Sequence, residues 1–377
     1  MKQESVLFLC WYRSPYGGNF IASMQCLAAS LQNDGVQTAF VFPASAKERP
    51  WCCLLQKTYD VHFLDDVASK IKQGKALLQI VDQTAASVLH VHFSGMDLSA
   101  FCALLRPKLR LVWHYHSDFS AGKRDSFSRR CKRTLAKLAE HLIGKKRIRK
   151  ITVSEAQATV APEYRYIANA LVPRRCADVI LDRTETRERL GIAEDQMLVL
   201  AFAWSPFIKG GDIAAKAVAK LRADGHTELI LGLIGGREYP PEKMATYLKA
   251  HTALQGDEPW ILHLPPEEDV FRYHKASDVM LSASRSEAFS YAMLEALYTG
   301  RPCVCSDVPG VQWARRYETV TYFASEDSDA CAAAILSAAQ QSKAAAGQQA
   351  AASVAASILR DYGIENWVAG VKTVLLG

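Results

Sequence analysis

No stretch of the 377-residue chain approaches the roughly 20 consecutive apolar residues that a membrane-spanning helix requires. The apolar run Val6–Tyr12 is short and leads into Arg13 and a glycine turn, so it reads as a first strand and not as a secretory signal. The expected location is the cytoplasm. No two of the ten cysteines are spaced C-x-x-C. Cys10, Cys303 and Cys305 fall in strand patterns, Cys26 and Cys102 in helical ones, and Cys52 and Cys53 are adjacent, which predicts reduced thiols packed as small hydrophobes. There is no G-x-G-x-x-G and no Walker A sequence, which counts against dehydrogenase and ATPase chemistry. No nucleic-acid-binding motif accompanies the basic residues, so nucleic acid is not an expected partner. Nor does any pair of side chains stand out as a separate nucleophile and general acid.

What is present is the composition of a folded protein, 49% hydrophobic and 22% charged, in a chain too long for one ordinary core. Strand-like segments at Val6–Trp11, Thr38–Phe42, Val88–Phe93, Arg110–His116 and Lys150–Ser154 alternate with helical ones at Asn19–Gln32 and Asp97–Leu105. After an aperiodic stretch near 172–184 the alternation restarts at Leu198–Ala203, Glu228–Ile234, Trp260–Leu264, Val279–Ser282 and Cys303–Ser306. Alternation of this kind predicts an α/β fold of two Rossmann-like, doubly wound domains, residues 1–172 and 173–357.

The net charge of +6 is concentrated in one place. Residues 123–150 hold twelve Lys or Arg against Asp125 and Glu140, and the remainder of the chain is slightly acidic. Phe127, Cys131, Leu135, Leu138 and Leu142 form a helical stripe, leaving Arg129, Arg130, Lys132, Arg133 and Lys137 on other faces. This is either a solvated helix face or a surface for an anionic membrane or an anionic acceptor, placing the protein peripherally on the inner face of the membrane.

The segment Ser284–Val308 is the most informative. A buried strand at 279–282 is followed by Glu287 and Glu295, eight apart, with Phe289, Met293, Leu294 and Leu297 at helical spacing. A helix beginning near Ala288 or Phe289 would turn free N–H groups toward an anion, with Glu287 at the mouth and Glu295 two turns on, where a carboxylate suits ribose hydroxyls. Ser284-x-x-Glu287 is equally a capping-box spelling. The longer string, Glu-x7-Glu ahead of Ala-Leu-Tyr-Thr-Gly-Arg-Pro-Cys-Val, resembles the donor-site signature of the retaining GT-B glycosyltransferases of family 4 (group 1). That resemblance assigns Glu287 to the donor sugar and Glu295 to the nucleotide ribose, with Ala288, Phe289 and Ser290 in the donor-binding loop. The family usually has Phe-Gly after the first glutamate, whereas Ser290 stands here where glycine would admit a close approach.

The resemblance carries further residues. Gly17 and Gly18, after the first strand, match the family's glycine loop near the donor diphosphate. Lys209, in Trp204-Ser-Pro-Phe-Ile-Lys209-Gly210-Gly211, matches the lysine that holds the diphosphate, but Trp204 occupies the place of the accompanying arginine, for which Arg13 or Arg285 could compensate. His116 matches the cleft histidine; with Glu287 and Lys209 it makes up the expected catalytic set, and Asp118 is a candidate on the acceptor side. His90-x-His92 and His114-x-His116 put four imidazoles on strand faces, where a metal is conceivable. Carboxylates to complete a ligand set are sparse and the family acts without a bound metal, so no metal and no cofactor are expected. The resemblance further implies that the two domains face a central cleft and that a terminal helix, residues 358–377 with Trp367, packs back on the first domain. The implied activity is transfer of a sugar from a UDP- or GDP-sugar to a glycan or lipid-linked acceptor. The alternatives are an impaired GT-B pseudoenzyme acting as a partner subunit and a sugar-nucleotide epimerase.

Overall fold

The computed structural model describes residues 4–93, 97–117, 147–173, 182–235, 259–268 and 270–377. The basic helical stripe with Arg129, Arg130, Lys132, Arg133 and Lys137, and Asp118, lie outside these. The chain divides into two units, one made of Met1–Ala170 with Ile364–Gly377 and the other of Leu171–Gly363.

The first unit is built on seven parallel strands: β1 (Ser5–Cys10), β2 (Gln37–Pro43), β3 (Asp60–Leu64), β4 (Val88–His92), β5 (Arg110–Tyr115), β6 (Ile148–Thr152) and β7 (Tyr164–Tyr166). Their order across the sheet is β3-β2-β1-β4-β5-β6-β7. The central strands are buried on both faces, so β1 has a nearly unbroken apolar sequence, and in β4 apolar residues are interrupted only by His90 and His92. Leu7, Leu9, Leu89, Val91, Leu111 and Trp113 fill one face. On the other lie Phe8, His90, His92 and His114. The C-terminal helix, Ile364–Leu376, packs against the first helix, Gly18–Asn33, and its end is held by Arg149, which donates to the Val374 carbonyl at 2.6 Å. This packing segment begins at Ile364; residues 358–362 belong to the preceding helix, Ala345–Tyr362, in the second unit.

The second unit repeats the plan with six parallel strands, β8 (Met197–Phe202), β9 (Leu229–Ile234), β10 (Ile261–Leu264), β11 (Val279–Ser282), β12 (Cys303–Ser306) and β13 (Val320–Phe323), in the order β10-β9-β8-β11-β12-β13. In both sheets the order reverses beside the first strand, between β1 and β4 and between β8 and β11. Loops leaving the carboxyl ends of such neighbours diverge to opposite faces and leave a crevice for ligands. Each expected site residue of the second unit follows β8 or β11, and those of the first follow β1 or β5.

At the second switch point the backbones nearly touch. Gly210 has φ +66° and caps the helix Gly211–Ala223, and a Cβ added there would lie 1.9 Å from the Ala283 carbonyl oxygen. The Arg285 N–H donates to the Ile208 carbonyl at 2.8 Å, and its guanidinium makes a two-pronged bond to Asp212, 2.8 Å on each arm, while lying 4.3 Å over the Phe207 ring. From a third side Gly310 backs onto the loop after β11, where a Cβ would fall 2.0 Å from the Glu287 carbonyl oxygen.

Gly210→Ala therefore combines left-handed strain with a backbone collision, and should lower stability by about 3 kcal/mol or more in urea denaturation. Gly191 has nearly the same φ, +67°, with no atom within 4 Å of an added Cβ. Gly191→Ala should show the strain alone, about 1–2 kcal/mol; equal losses in the two variants would contradict the close approach.

Candidate active site

In the second unit the loop after β8 brings Lys209 against Glu287 from the loop after β11, with Nζ 2.6 Å from Oε2. The lysine side chain is 30% exposed and the glutamate 11%, so the pair sits at the rim of the crevice with its carboxylate turned inward. The helix that follows begins at Tyr291, not at Ala288 or Phe289, because the Ser290 hydroxyl accepts the Met293 N–H at 3.3 Å and caps it. Ser290, a departure from the family's glycine, is thus the helix cap, and Ser284 is not. Phe289 stacks on Trp313 at 4.7 Å and Ala288 is buried, which leaves these residues only their backbone to offer a ligand. The N–H groups of Ala288, Phe289 and Ser290 make no hydrogen bond to another described residue. Three N–H groups without a partner among the described residues, in the loop that leads into a helix N-terminus and next in sequence to the Lys209-bound Glu287, suit an anion such as a phosphate.

Glu295 lies on the buried face of the helix Tyr291–Tyr298, with its carboxylate 3.6 Å from Nε2 of the fully buried His274. Trp204 is 37% exposed, and its indole packs on Gly235 at the end of β9, within about 3 Å of where a Cβ would stand. Of the two cations that could replace the missing arginine, Arg285 is already held by Asp212, and Arg13 is 3.8 Å from Asp66 and largely exposed.

In the first unit the turn after β1 is held by aromatic side chains. The Tyr12 hydroxyl donates to the carbonyls of Tyr16 and Gly17, and the Trp51 indole N–H donates to Ser14. Gly17 is packed against Trp51, and Gly18 opens the helix at φ +57°. His116 follows β5, half-buried, its Nε2 3.0 Å from His92 Nδ1 and its ring stacked on Phe93 at 4.5 Å. Phe93, a residue that spacing did not single out, adopts φ +65°, a strained conformation for a bulky side chain and one that gathers at functional sites. Burial pushes the pKa of His90 and His116 down to about 3 and those of His92 and His114 well below the ordinary histidine value; neighbouring imidazoles push His90, His92 and His114 the same way. All four are neutral near pH 7. A cavity of about 540 Å³ lined by Gln32, Thr38, Asp60 and Thr84 opens at the amino ends of β1–β3, away from these residues.

Residues 182–353 match the family model described as "Glycosyl transferases group 1". The second unit is a group 1 glycosyltransferase domain. Lys209, Glu287 and Glu295 all lie inside the matched residues. A D-inositol 3-phosphate glycosyltransferase from Geodermatophilus obscurus is 30% identical over 140 residues, 36% of this chain and 31% of that protein. The chain thus spans about a third of the length of the curated relatives it matches. The fold of the whole chain is GT-B. A glycosyltransferase from Rickettsia africae superposes with a TM-score of 0.79 at 13% identity, over 100% of this chain and 98% of that one. Anabaena Alr3699/HepE, solved in complex with UDP-glucose, gives 0.79 at 15% identity over 98% and 99%. Within the glycosyltransferase domain the structure brings together Lys209, Glu287 and the donors at 288–290. Glu295 sits one helix turn deeper, and His116, Gly17 and Gly18 share the other unit.

The lowered histidine pKa values have a sign that can be checked. An unfolded histidine takes up its proton near pH 6.5, whereas folded His90 does so only near 3. Between those values the unfolded state binds more protons, so stability falls as pH drops through the window, by about 1.4 kcal/mol per pH unit for each such histidine. His90→Phe should make the decline in urea unfolding free energy between about pH 6 and 4.5 shallower by that slope. Identical slopes would mean that His90 titrates normally.

Proposed function

We propose that the chain is a retaining glycosyltransferase that transfers a hexosyl group from a UDP- or GDP-sugar to a glycan or lipid-linked acceptor. The observation that carries this reading is the meeting of Lys209 and Glu287, beside the N–H groups of Ala288, Phe289 and Ser290 that have no partner among the described residues, at one strand-order reversal. The Anabaena protein's complex with UDP-glucose supports a nucleotide sugar as the donor class. When the bond from the sugar to the diphosphate breaks, negative charge grows on the leaving phosphate oxygen. An ammonium and fixed N–H dipoles stabilise that charge without reorganising. Glu287, released from Lys209 as the diphosphate takes its place, is assigned to the donor sugar, and Glu295 to the ribose. Gly17 and Gly18 are assigned to the diphosphate, and His116 to donor phosphate or sugar hydroxyls. The charge is met by side chain and backbone, so the reading calls for no metal and no cofactor, and turnover is expected to persist in a chelator.

Calorimetry with UDP and GDP tests the assignment. Lys209→Ala should weaken binding by about 1.5–3 kcal/mol, the usual contribution of a hydrogen bond to a charged group, and Glu295→Ala should also weaken it. Glu287→Ala should cost turnover more than nucleotide affinity. Unchanged affinity in both Lys209→Ala and Glu295→Ala would remove the site from this crevice. A second reading, a binding subunit without catalytic power, is favoured by Trp204 at the arginine position with Arg285 committed to Asp212; failure to bind either nucleotide would select it.

The basic segment 123–150 we assign to an anionic membrane surface carrying the acceptor. Vesicles containing anionic lipid should bind the protein, less so as salt is raised. Arg129→Glu, Arg133→Glu and Lys137→Glu together should abolish this and leave nucleotide affinity intact, whereas equal partition onto neutral vesicles would favour a soluble acceptor.

A further inference from the structure

β4 and β5 run parallel with His92 in register with His114, and alternation along each strand sets His90, His92 and His114 on one face, with His116 following β5. The four rings form an unbranched series. His116 Nε2 meets His92 Nδ1 at 3.0 Å, His92 Nε2 meets His90 Nδ1 at 3.3 Å, and His90 Nε2 meets His114 Nδ1 at 3.4 Å. Every link joins an ε nitrogen to a δ nitrogen. A neutral imidazole has one donor nitrogen and one acceptor, so the tautomer of any ring dictates that of all the others. Only two polarities exist, donating toward His116 or away from it.

The inner end distinguishes them. His114 Nε2 is buried and has no hydrogen-bond partner among the described residues. If the series donated away from His116, this nitrogen would carry a buried N–H with nothing to receive it, a rarer and costlier orphan than a lone pair. The neighbouring Trp367 ring, 6.2 Å away and nearly parallel, bears another buried unpartnered nitrogen, Nε1, which can only donate. An N–H on His114 would leave a second unmatched buried donor beside that indole, whereas a lone pair would not.

We propose that His92, His90 and His114 are positioning residues that hold His116 in its Nδ1–H tautomer, so that it offers an outward hydrogen-bond donor to a phosphate or sugar oxygen. The identity of that oxygen rests on the glycosyl-transfer reading, but the tautomer does not. His116 Nδ1 makes no hydrogen bond to a described residue and is available for the task. The walls around the rings are aromatic: Phe8 lies 5.8 Å from His90, Phe20 5.2 Å from His92 and Phe93 4.5 Å from His116. In that setting the imidazoles stay neutral, as the series requires. His90, His92 and His114 could also converge on a metal ion, their nitrogens lying within 4.8 Å of one another. No Asp, Glu or Cys joins that group among the described residues, so a buried dication would have no anion to balance it.

The test is a long-range proton–nitrogen correlation spectrum of the full chain labelled with ¹⁵N-histidine, recorded at pH 7 without donor. All four rings should appear as neutral Nδ1–H forms, the less favoured tautomer of a free histidine. His92→Phe should turn His116 to the Nε2–H form, and His92→Asn, whose amide N–H replaces Nδ1–H, should restore Nδ1–H. A general packing role for His92 would not produce this contrast. Should His92→Phe fail to fold, wild type and His92→Asn still decide, because each must show Nδ1–H on His116. An Nε2–H His116 in wild type, a His116 unmoved by His92→Phe, or stoichiometric zinc in the purified protein would overturn the proposal. The spectrum needs no sugar nucleotide, so absent turnover would count against glycosyl transfer alone.

Discussion

Gly210 stands so near Ala283 that the turns after β8 and β11 share one layer of backbone, and the rest of the second unit's site follows from that approach. It sets where the helix Gly211–Ala223 starts, and so where Asp212 meets Arg285. The Arg285–Asp212 bond is partly buried and two-pronged, with the guanidinium also donating to the Phe207 carbonyl at 2.6 Å, so it fixes angle as well as distance. Lys209 and Glu287 are carried on either side of this clamp and meet because of it.

The central strands were legible because burial on both faces leaves a plain apolar signal. The edge strands β3, β7 and β13 are half-exposed, their sequences mix polar and apolar residues, and they went unread. At the candidate site the residue types could be read and their roles less so. Ser290 looked like a missing glycine and is a cap, which moved the helix start to Tyr291. The spacing of the histidines revealed that each pair shares a strand face, but the pairing of His92 with His114 depends on register between strand positions 22 residues apart (92 and 114), which no local pattern encodes. Phe93 could not have been found from sequence, since its signal is a dihedral angle.

The two units use one topology for different electrostatics. In the second, an ammonium and a carboxylate pair with each other at a partly open rim. In the first, four ionisable rings are enclosed by Phe8, Phe20, Phe93 and Trp367, and the cheapest state is neutrality with hydrogen bonds passed from ring to ring. The same wrapping that discharges the imidazoles makes their polarity matter.

On the proposed reading the Lys209–Glu287 contact shapes which anions the crevice accepts. The ammonium is already neutralised, so a passing anion feels little long-range pull. Any guest that takes Lys209 strands a carboxylate that is 11% exposed, and a fully ionised oxyanion has no hydrogen to donate to it in return. A guest with hydroxyls next to its phosphate can satisfy both partners at once. On the proposed reading selectivity is an exchange reaction: the Lys209–Glu287 pair competes with any guest, and a ligand anionic at one end and hydroxylated at the other replaces the contacts of both partners.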